Sequence, residues 1–289
     1  MAATDPISKL KAIHLEAQLR SQEKPKADEA PLPATAKVLQ LPIWPEERRG
    51  VPNDLVRSAL FTVGNHRKKR EYRKNYLIAA LGDISIVYTG EELRQDDEDV
   101  FLQLVHLARL SPLGHTIEFT AHAMMKSLAW STDGRAYERL KDCISRLSAT
   151  GIEVRNETRG YSGSLVRDFA WQDMSGNSSR RWKVRLEPRI IALFGKVAYT
   201  SIDWEQRLQL GYLAKWLHSF YYTHANPYPM KAATLRKLCG SATRDLSKFR
   251  QLLRSALDEL IAVGFLSDWN IDPKSDLVYV TRMTALSTD

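Results

Sequence analysis

Apolar residues recur at three- and four-residue steps near the end of the chain: Leu246, Phe249, Leu253, Ala256, Leu257 and Leu260. That spacing puts one apolar stripe on a helix over about Asp245–Val263, with Arg244, Ser247, Lys248, Gln251 and Arg254 away from it. A shorter helix, Lys231–Leu238, and a turn, Gly240–Thr243, come before it. Gly264 stops it, and alternation in Phe265–Trp269 and Leu277–Met283 predicts a two-stranded hairpin. Helix, turn, helix and hairpin together are the plan of a winged helix. A helix buried on one side that shows Arg, Lys, Gln and Ser on the other suits a DNA major groove. The plain alternative is a solvated surface helix.

The same order occurs earlier in the chain. Asp99–Leu110 patterns as a helix, His115–Phe119 as a strand, Thr120–Trp130 as a helix, Ser131–Gly134 as a turn and Arg135–Thr150 as a longer helix stopped by Gly151. Ile152–Asn156, Leu165–Trp171 and Trp182–Leu186 alternate like strands of one wing sheet. At an offset of 113 residues Leu140 falls on Leu253, Cys143 on Ala256, Ile144 on Leu257, Leu147 on Leu260, Gly151 on Gly264 and Ile152 on Phe265. The basic positions Arg135 and Lys141 fall on Lys248 and Arg254. The expected fold is α+β: two tandem winged-helix domains, 51–188 and 189–289, behind a flexible N-terminal tail, 1–50. Internal repetition of this kind is what a tandem pair requires.

The connecting segments are less regular. Ile7–Leu19 patterns as a short helix and Ser21–Pro33 as linker. Pro52–Val63 reads as a helix. Gly82-Asp83 joins Leu77–Leu81 to Ile84–Tyr88 as a hairpin. The acidic stretch Glu91–Asp99 suits the N-terminal dipole of the helix that follows. Asp203 is a candidate N-cap for one helix carrying Trp204, Leu208, Tyr212, Trp216 and Phe220, and Tyr222–Pro229 is a proline-broken loop.

Composition narrows the function. The 289 residues are 44% hydrophobic, enough for two cores, and carry a formal charge of +8 that includes 34 acidic residues. Positive field must therefore be local. The densest basic run is Arg67, Lys68, Lys69, Arg70, Arg73 and Lys74, beside Tyr72 and Tyr76. It is either a solvated loop or a phosphate grip. Cys143 and Cys239 are too few and too far apart for a disulfide framework or a zinc site. No stretch reaches the ~18 apolar residues of a membrane span, and no signal peptide is visible, so a cytoplasmic protein without membrane attachment is expected.

Catalytic constellations are missing from the pattern. No Gly-x4-Gly-Lys-Ser/Thr loop occurs, and Gly195-Lys196 lacks its context. The seven histidines are scattered, with no metal-ligand pair, which also disfavours a nicking initiator built on Tyr221 or Tyr222. Asp96–Asp99 lack the lysine of a carboxylate nuclease. The chain reads as a non-enzyme with no cofactor and no metal.

Gln40-Leu41-Pro42-Ile43-Trp44 is an apolar island. Leu41, Ile43 and Trp44 either tuck against the first domain or form a docking peptide. The stretch resembles the Gln-Leu-x-Leu-Phe peptides with which bacterial proteins bind the polymerase sliding clamp; Gln40, Leu41, Ile43 and Trp44 would be its anchors. The tandem order, the Gly82-Asp83 hairpin leading into Val87-Tyr88-Thr89-Gly90, and the stretches Gly114–Thr120, Met124–Trp130 and Leu213–Tyr221 resemble the iteron-binding plasmid replication initiators, most closely those of broad-host-range IncP plasmids. The resemblance implies binding to origin iterons as a monomer in equilibrium with an inhibitory homodimer, plasmid copy control, and opening of an adjacent A·T-rich segment. It also implies contact with the sliding clamp, the host initiator DnaA and the replicative helicase. Single-stranded DNA of the opened origin is a further expected partner. On this reading Arg244, Ser247, Lys248, Gln251 and Arg254 face bases or phosphates and Arg250 meets phosphate. Arg135, Arg139 and Arg146 face the next groove, and Lys68, Lys69 and Arg70 grip backbone. A winged-helix transcriptional regulator explains the same helices but not Gln40–Trp44. A protein-interaction module would leave the basic faces incidental.

Overall fold

In the computed structural model, which describes residues 39–64, 68–157, 160–172, 178–194 and 198–283, the chain enters on Leu41 and Trp44, both buried. The expected helix Ile7–Leu19, the linker Ser21–Pro33, Arg67 and Gly195-Lys196 lie outside these residues. Strand β1 (Arg48–Pro52) leads into a single helical turn, α1 (Asn53–Val56), and a two-residue strand, β2 (Phe61–Thr62), where one longer helix was expected. β3 (Tyr72–Ile78) and β4 (Ser85–Glu91) form the hairpin anticipated around Gly82-Asp83, and β5 (Leu93–Arg94) pairs parallel with β2.

Helix α2 (Gln95–Ala108) begins four residues earlier than its apolar pattern suggests, because its first turn is buried together with its carboxylates. Strand β6 (Ile117–Phe119) precedes α3 (Ala121–Ser127), capped by the Thr120 side chain, and α4 (Gly134–Ser148), capped by Asp133. These hydroxyl and carboxylate oxygens satisfy amide groups that the helix itself leaves unpaired. Next come β7 (Gly151–Arg155), β8 (Gly160–Gly163), β9 (Val166–Gln172), β10 (Ser178–Leu186), a 3-10 turn (Pro188–Phe194) and β11 (Tyr199–Asp203).

One expectation is corrected here. The three strands after α4 do not make one wing. β7 pairs with β4 and β8 in a sheet ordered β3-β4-β7-β8, while β9 and β10 join β6 in a separate sheet ordered β6-β10-β9. Ile152 and Val154 turn inward under β4, so burial favours that partner.

A second correction concerns the helix after Asp203. Asp203 does cap it, but it breaks into α5 (Trp204–Leu208) and α6 (Tyr212–Tyr222), with Gly211 as the second cap residue. β12 (Met230–Lys231), α7 (Ala232–Leu238), α8 (Leu246–Ala262), β13 (Leu266–Ile271) and β14 (Leu277–Arg282) follow the predicted order closely. Gly264, at φ +71°, ends the long helix.

Helix α2, strand β6, α3, a turn, α4 and the hairpin β9–β10 are thus matched by α6, β12, α7, a turn, α8 and β13–β14. Both three-stranded sheets have the order first, third, second strand: β6-β10-β9 and β12-β14-β13. The 113-residue offset carries burial with it: Leu140, Cys143, Ile144 and Leu147 are fully buried, and so are Leu253, Leu257 and Leu260, with Ala256 close behind. β7 and β8 are an excursion within the first copy.

Residues Leu39–Asp289 form one compact unit. Its apolar interior divides into a cluster running from Leu41 to Trp204 and another from Leu210 to Val278, with Tyr222 packed against both. The division falls after α5, not at Pro188, because β1 pairs with β11 from Arg48↔Asp203 to Pro52↔Tyr199.

Charge joins the two clusters. Arg207 is fully buried. Its Nε donates to Asp99 at 2.8 Å, its Nη2 faces Glu98 at 3.4 Å, and its Nη1 donates to Ser219 Oγ at 2.6 Å. Lys215 also binds Asp99. Beside them His218 is buried against the rings of Tyr222 and Phe265, with Nε2 at 3.3 Å from Gln206. Burial, then the charges of Arg207, Arg48 and Arg282, hold its pKa well below the ordinary 6.5. The unfolded chain therefore takes up a proton near 6.5 that the folded chain refuses, and stability present above that pH is lost as pH falls. The thermal midpoint is expected to be level above about pH 7 and to drop between about 6.5 and 5.5. His218→Gln should shrink the drop, and an equal drop in the variant would exclude His218 as its source.

Candidate nucleic-acid interface

Helix α8 is held from three directions. Its stripe Phe249, Leu253, Ala256, Leu257 and Leu260 is buried, the Asp245 carboxylate accepts from Ser247 N at 2.7 Å, and Glu259 accepts from Gly211 N at 2.6 Å. Trp269 of the hairpin donates to Asp258 at 3.0 Å. The helix is thereby fixed in rotation, and Arg244, Ser247, Lys248, Gln251 and Arg254 all come out exposed. Among the described residues no ion pair engages Arg244, Lys248 or Arg254. Arg250 differs: its Nε donates to Asp276 at 2.7 Å, which ties the helix to the hairpin turn.

The turn before α8 has its own constraint. Gly240 sits at φ +61°, and a Cβ there would lie 2.7 Å from Thr62 Cγ2. Val63 N donates to Cys239 O at 3.1 Å. This close approach brings the basic run against the helix–turn–helix. A cleft of about 880 Å³ opens between them, edged by Lys68, Lys69, Arg73, Arg236, Lys237 and Arg244. Sequence reasoning had Lys68, Lys69 and Arg244 as separate candidates. It missed Arg236 and Lys237, whose position in the last turn of α7, next to the turn, was the available signal. Glu92 in this cleft is neutralised by Arg94 at 2.7 Å.

Other candidates are drawn inward, and these are corrections. Arg70 binds Asp97 at 2.6 Å and Asp96 at 2.9 Å, and its side chain is only 11% exposed. Arg146 binds Asp97 at 2.9 Å and is 14% exposed. Burial alone would lower the Arg146 pKa, but Asp97, Cys143 and Asp96 together outweigh it and raise the value. Both arginines are engaged by buried carboxylates at the edge of a cleft that they share with Arg135 and Arg139. Arg139 is half-exposed, lying 3.9 Å over the Trp130 ring and 3.5 Å from Asp96. Of the three α4 arginines only Arg135 projects freely exposed.

The peptide Gln40–Trp44 is corrected as well. Leu41 is 2% and Trp44 4% exposed, whereas Gln40 is exposed and Ile43 stands out at 71%. Trp44 stacks near Phe194 and Tyr199, and its Nε1 donates to His106 Nδ1 at 3.0 Å. A Cβ at Gly50 would fall 2.7 Å from the indole, so that position admits only glycine. Gln40 Nε2 reaches the Arg109 carbonyl at 3.5 Å. Two of the four anchors are core residues, and the peptide is not presented for docking.

Among the described residues no cluster of His, Cys, Asp or Glu could hold a metal, and no helix is long and apolar enough to cross a membrane. Cys143 and Cys239 are buried and unpaired with each other.

The family model described as TrfA protein matches residues 31–282. The chain belongs to the TrfA family. A relative, the plasmid replication initiator protein TrfA of Escherichia coli, is 36% identical over 244 residues, 83% of this chain and 63% of that protein. This TrfA-family chain therefore spans less than two thirds of that relative's length. Among solved structures, a crystal structure of domains 2 and 3 of RctB superposes with a TM-score of 0.54 at 12% identity, covering 81% of this chain and 99% of that one. A second structure of the same domains gives 0.53 at 12% identity, covering 78% and 95%. The TrfA-family chain shares the mixed helix-and-strand fold of those domains.

Two substitutions separate internal from external residues. Arg146→Ala is expected to cost about 3 kcal/mol by leaving Asp97 short of a partner, and Trp44→Ala about 3–5 kcal/mol by emptying its cage. Chemical denaturation measures both. A loss under about 0.5 kcal/mol, typical of a surface change, would contradict these placements.

Proposed function

We propose that this TrfA-family chain is a plasmid replication initiator that binds repeated sites at an origin, with each helix–strand copy acting as a winged helix. The observation that carries the reading is the exposed face of α8, where Arg244, Lys248, Gln251 and Arg254 line one side of a helix immobilised by its core stripe, cap and hairpin. Its 17 residues span roughly 25 Å, enough to cross a major groove about 12 Å wide. Arginine pairs with guanine and glutamine with adenine in bidentate fashion, each worth about 1–3 kcal/mol of discrimination. Lys68 and Lys69 adjoin Arg244 across the cleft, where they can meet phosphates flanking the groove. The named relative is a plasmid replication initiator, and that supports origin sites as the target. Recruitment of a host initiator and helicase, and the monomer–dimer equilibrium, are extended from family membership. The domain limits 51–188 and 189–289 shift in this proposal to a division near Gln209, between the two cores.

Footprinting on the replicon that encodes the chain tests the reading. Protection of evenly spaced repeats beside an A·T-rich tract is expected, whereas protection of one operator would make the chain a transcriptional regulator. Arg254→Ala should weaken binding by about 1–3 kcal/mol and relax sequence preference, while Arg155→Ala on β7 should do neither. With about six to eight phosphates neutralised, log K should fall against log salt with a slope near −5 to −7. A flat salt response would sink the DNA-binding reading.

A further inference from the structure

The cleft between the basic run and the second helix–turn–helix has an apolar surface for which phosphates have no use. Lys68, Lys69, Lys237 and Arg244 line it, all four exposed and none in an ion pair among the described residues. Ala59, Ile78, Ala79 and Ala233 line it as well. So do Tyr76 and Leu77 of β3, which are 50% and 65% exposed. The Arg73 guanidinium lies 4.8 Å from the centroid of the Tyr76 ring and steadies it from one face.

Both copies shape this cleft. Gly240 packs against Thr62, Val63 N donates to the Cys239 carbonyl, and Arg236 Nη1 closes the turn on the Arg244 carbonyl at 2.6 Å. On the other side β3 bulges between Arg73 and Tyr76, with Asn75 at φ +47° and its N–H donating to Thr89 Oγ1 at 3.0 Å. A bulge re-aims the side chains beside it, and here those are two residues of the cleft. Two carboxylates also line it. Glu92 is satisfied by Arg94 and Thr62, each at 2.7 Å, while Glu71 is exposed.

The occupant has to meet clustered cations and an aromatic, apolar surface together. A volume of about 880 Å³ suits one small molecule. Duplex DNA offers phosphates but keeps the faces of its bases stacked inside the helix. A single strand offers bases with only about one negative charge per nucleotide, too dilute for four open cations in one cleft. A nucleoside polyphosphate joins one base to several charges at one end of a compact molecule.

We propose that this cleft binds a free nucleoside polyphosphate, its base against Tyr76 and Leu77 and its phosphates on Lys68, Lys69, Lys237 and Arg244, and that the bound nucleotide keeps DNA from the same cations. Nucleotide binding stands apart from the function proposed above; the exclusion of DNA rests on it, because Lys68, Lys69 and Arg244 are assigned to DNA there. The nucleotide acts by occupancy, since no glycine-rich hydrolysis loop occurs in the sequence.

Anisotropy of methylanthraniloyl-ATP titrated with the full chain, in the absence of DNA, tests the site. Saturable binding is expected, displaced by unlabelled ATP and at least about tenfold less well by AMP or by inorganic triphosphate, each of which lacks one of the recognised parts. Lys69→Ala/Lys237→Ala should weaken ATP by about tenfold or more. Tyr76→Ala should weaken ATP several-fold while leaving inorganic triphosphate unchanged, and Tyr76→Phe should behave as the parent. Glu71→Gln removes a carboxylate from the cleft and should tighten ATP several-fold, a gain that misfolding cannot produce. Saturating ATP should lower the affinity of the chain for a labelled duplex. The nucleotide site is overturned by absence of saturable binding, by AMP or a short oligothymidylate competing as well as ATP, by undiminished binding in the double-lysine variant, or by weaker binding in Glu71→Gln. Duplex affinity untouched by saturating ATP overturns the exclusion. A chain that bound ATP but no duplex would sink the DNA-binding reading while the nucleotide site stood.

Discussion

Four consecutive carboxylates, Asp96, Asp97, Glu98 and Asp99, open α2, and all four are buried. Removing a carboxylate from water without partners costs several kcal/mol even after relaxation. The N-terminal dipole of α2 offsets part of that cost, and cations supply the rest. Asp96 and Asp97 draw in Arg70 from the basic run and Arg139 and Arg146 from α4. Glu98 and Asp99 draw in Arg207 of α5 and Lys215 of α6. Elements from three separate parts of the chain are thereby required to meet at one helix end. Deleting one partner leaves a buried charge short of compensation, and the geometry is specific for that reason more than because the pairs are strong.

This hub also sorts the basic residues. A surplus of +8 says little about where a polyanion can bind, because several arginines neutralise buried acid and are largely withdrawn from solvent. What remains outside is concentrated on α8, on the cleft edge and on β9–β10. The internal acids thus decide the external field. They leave α4, the counterpart of α8, poor in available cations although its apolar stripe is nearly the same.

The second copy was largely legible because its determinants are local. The Asp245 cap, the three-and-four spacing of α8, the stop at Gly264 and the alternation of the hairpin each lie within a few residues of what they control. The repeat of buried positions at Leu140, Ile144 and Leu147 was legible for the same reason. The errors at Arg146, Trp44 and β7 were matters of partner choice across distance. Arg146 pattern-matches a surface cation until Asp97, 49 residues earlier, is placed beside it. Trp44 looks exposed on a polar tail until His106, 62 residues later, supplies its acceptor. β7 alternates like a wing strand, and nothing within it names β4 as its neighbour. The residue pattern supplied the fold order and the family resemblance agreed with it, but neither could say which of these side chains turn inward.

The pairing of β1 with β11 joins Arg48 to Asp203. A ribosome releases the chain from its N-terminus, so the first core keeps one edge strand without its partner until some 150 further residues have emerged. Contacts of that sequence separation form late and slowly. Trp44, which packs against Phe194 and Tyr199, must wait for the same event. The nascent protein therefore carries an open strand and an uncaged indole through much of its own synthesis, an interval in which such surfaces invite aggregation or the attention of chaperones. Closing that edge completes the first core at nearly the moment when Arg207 and Lys215 become available to Asp99, so the two copies reach their final packing almost together.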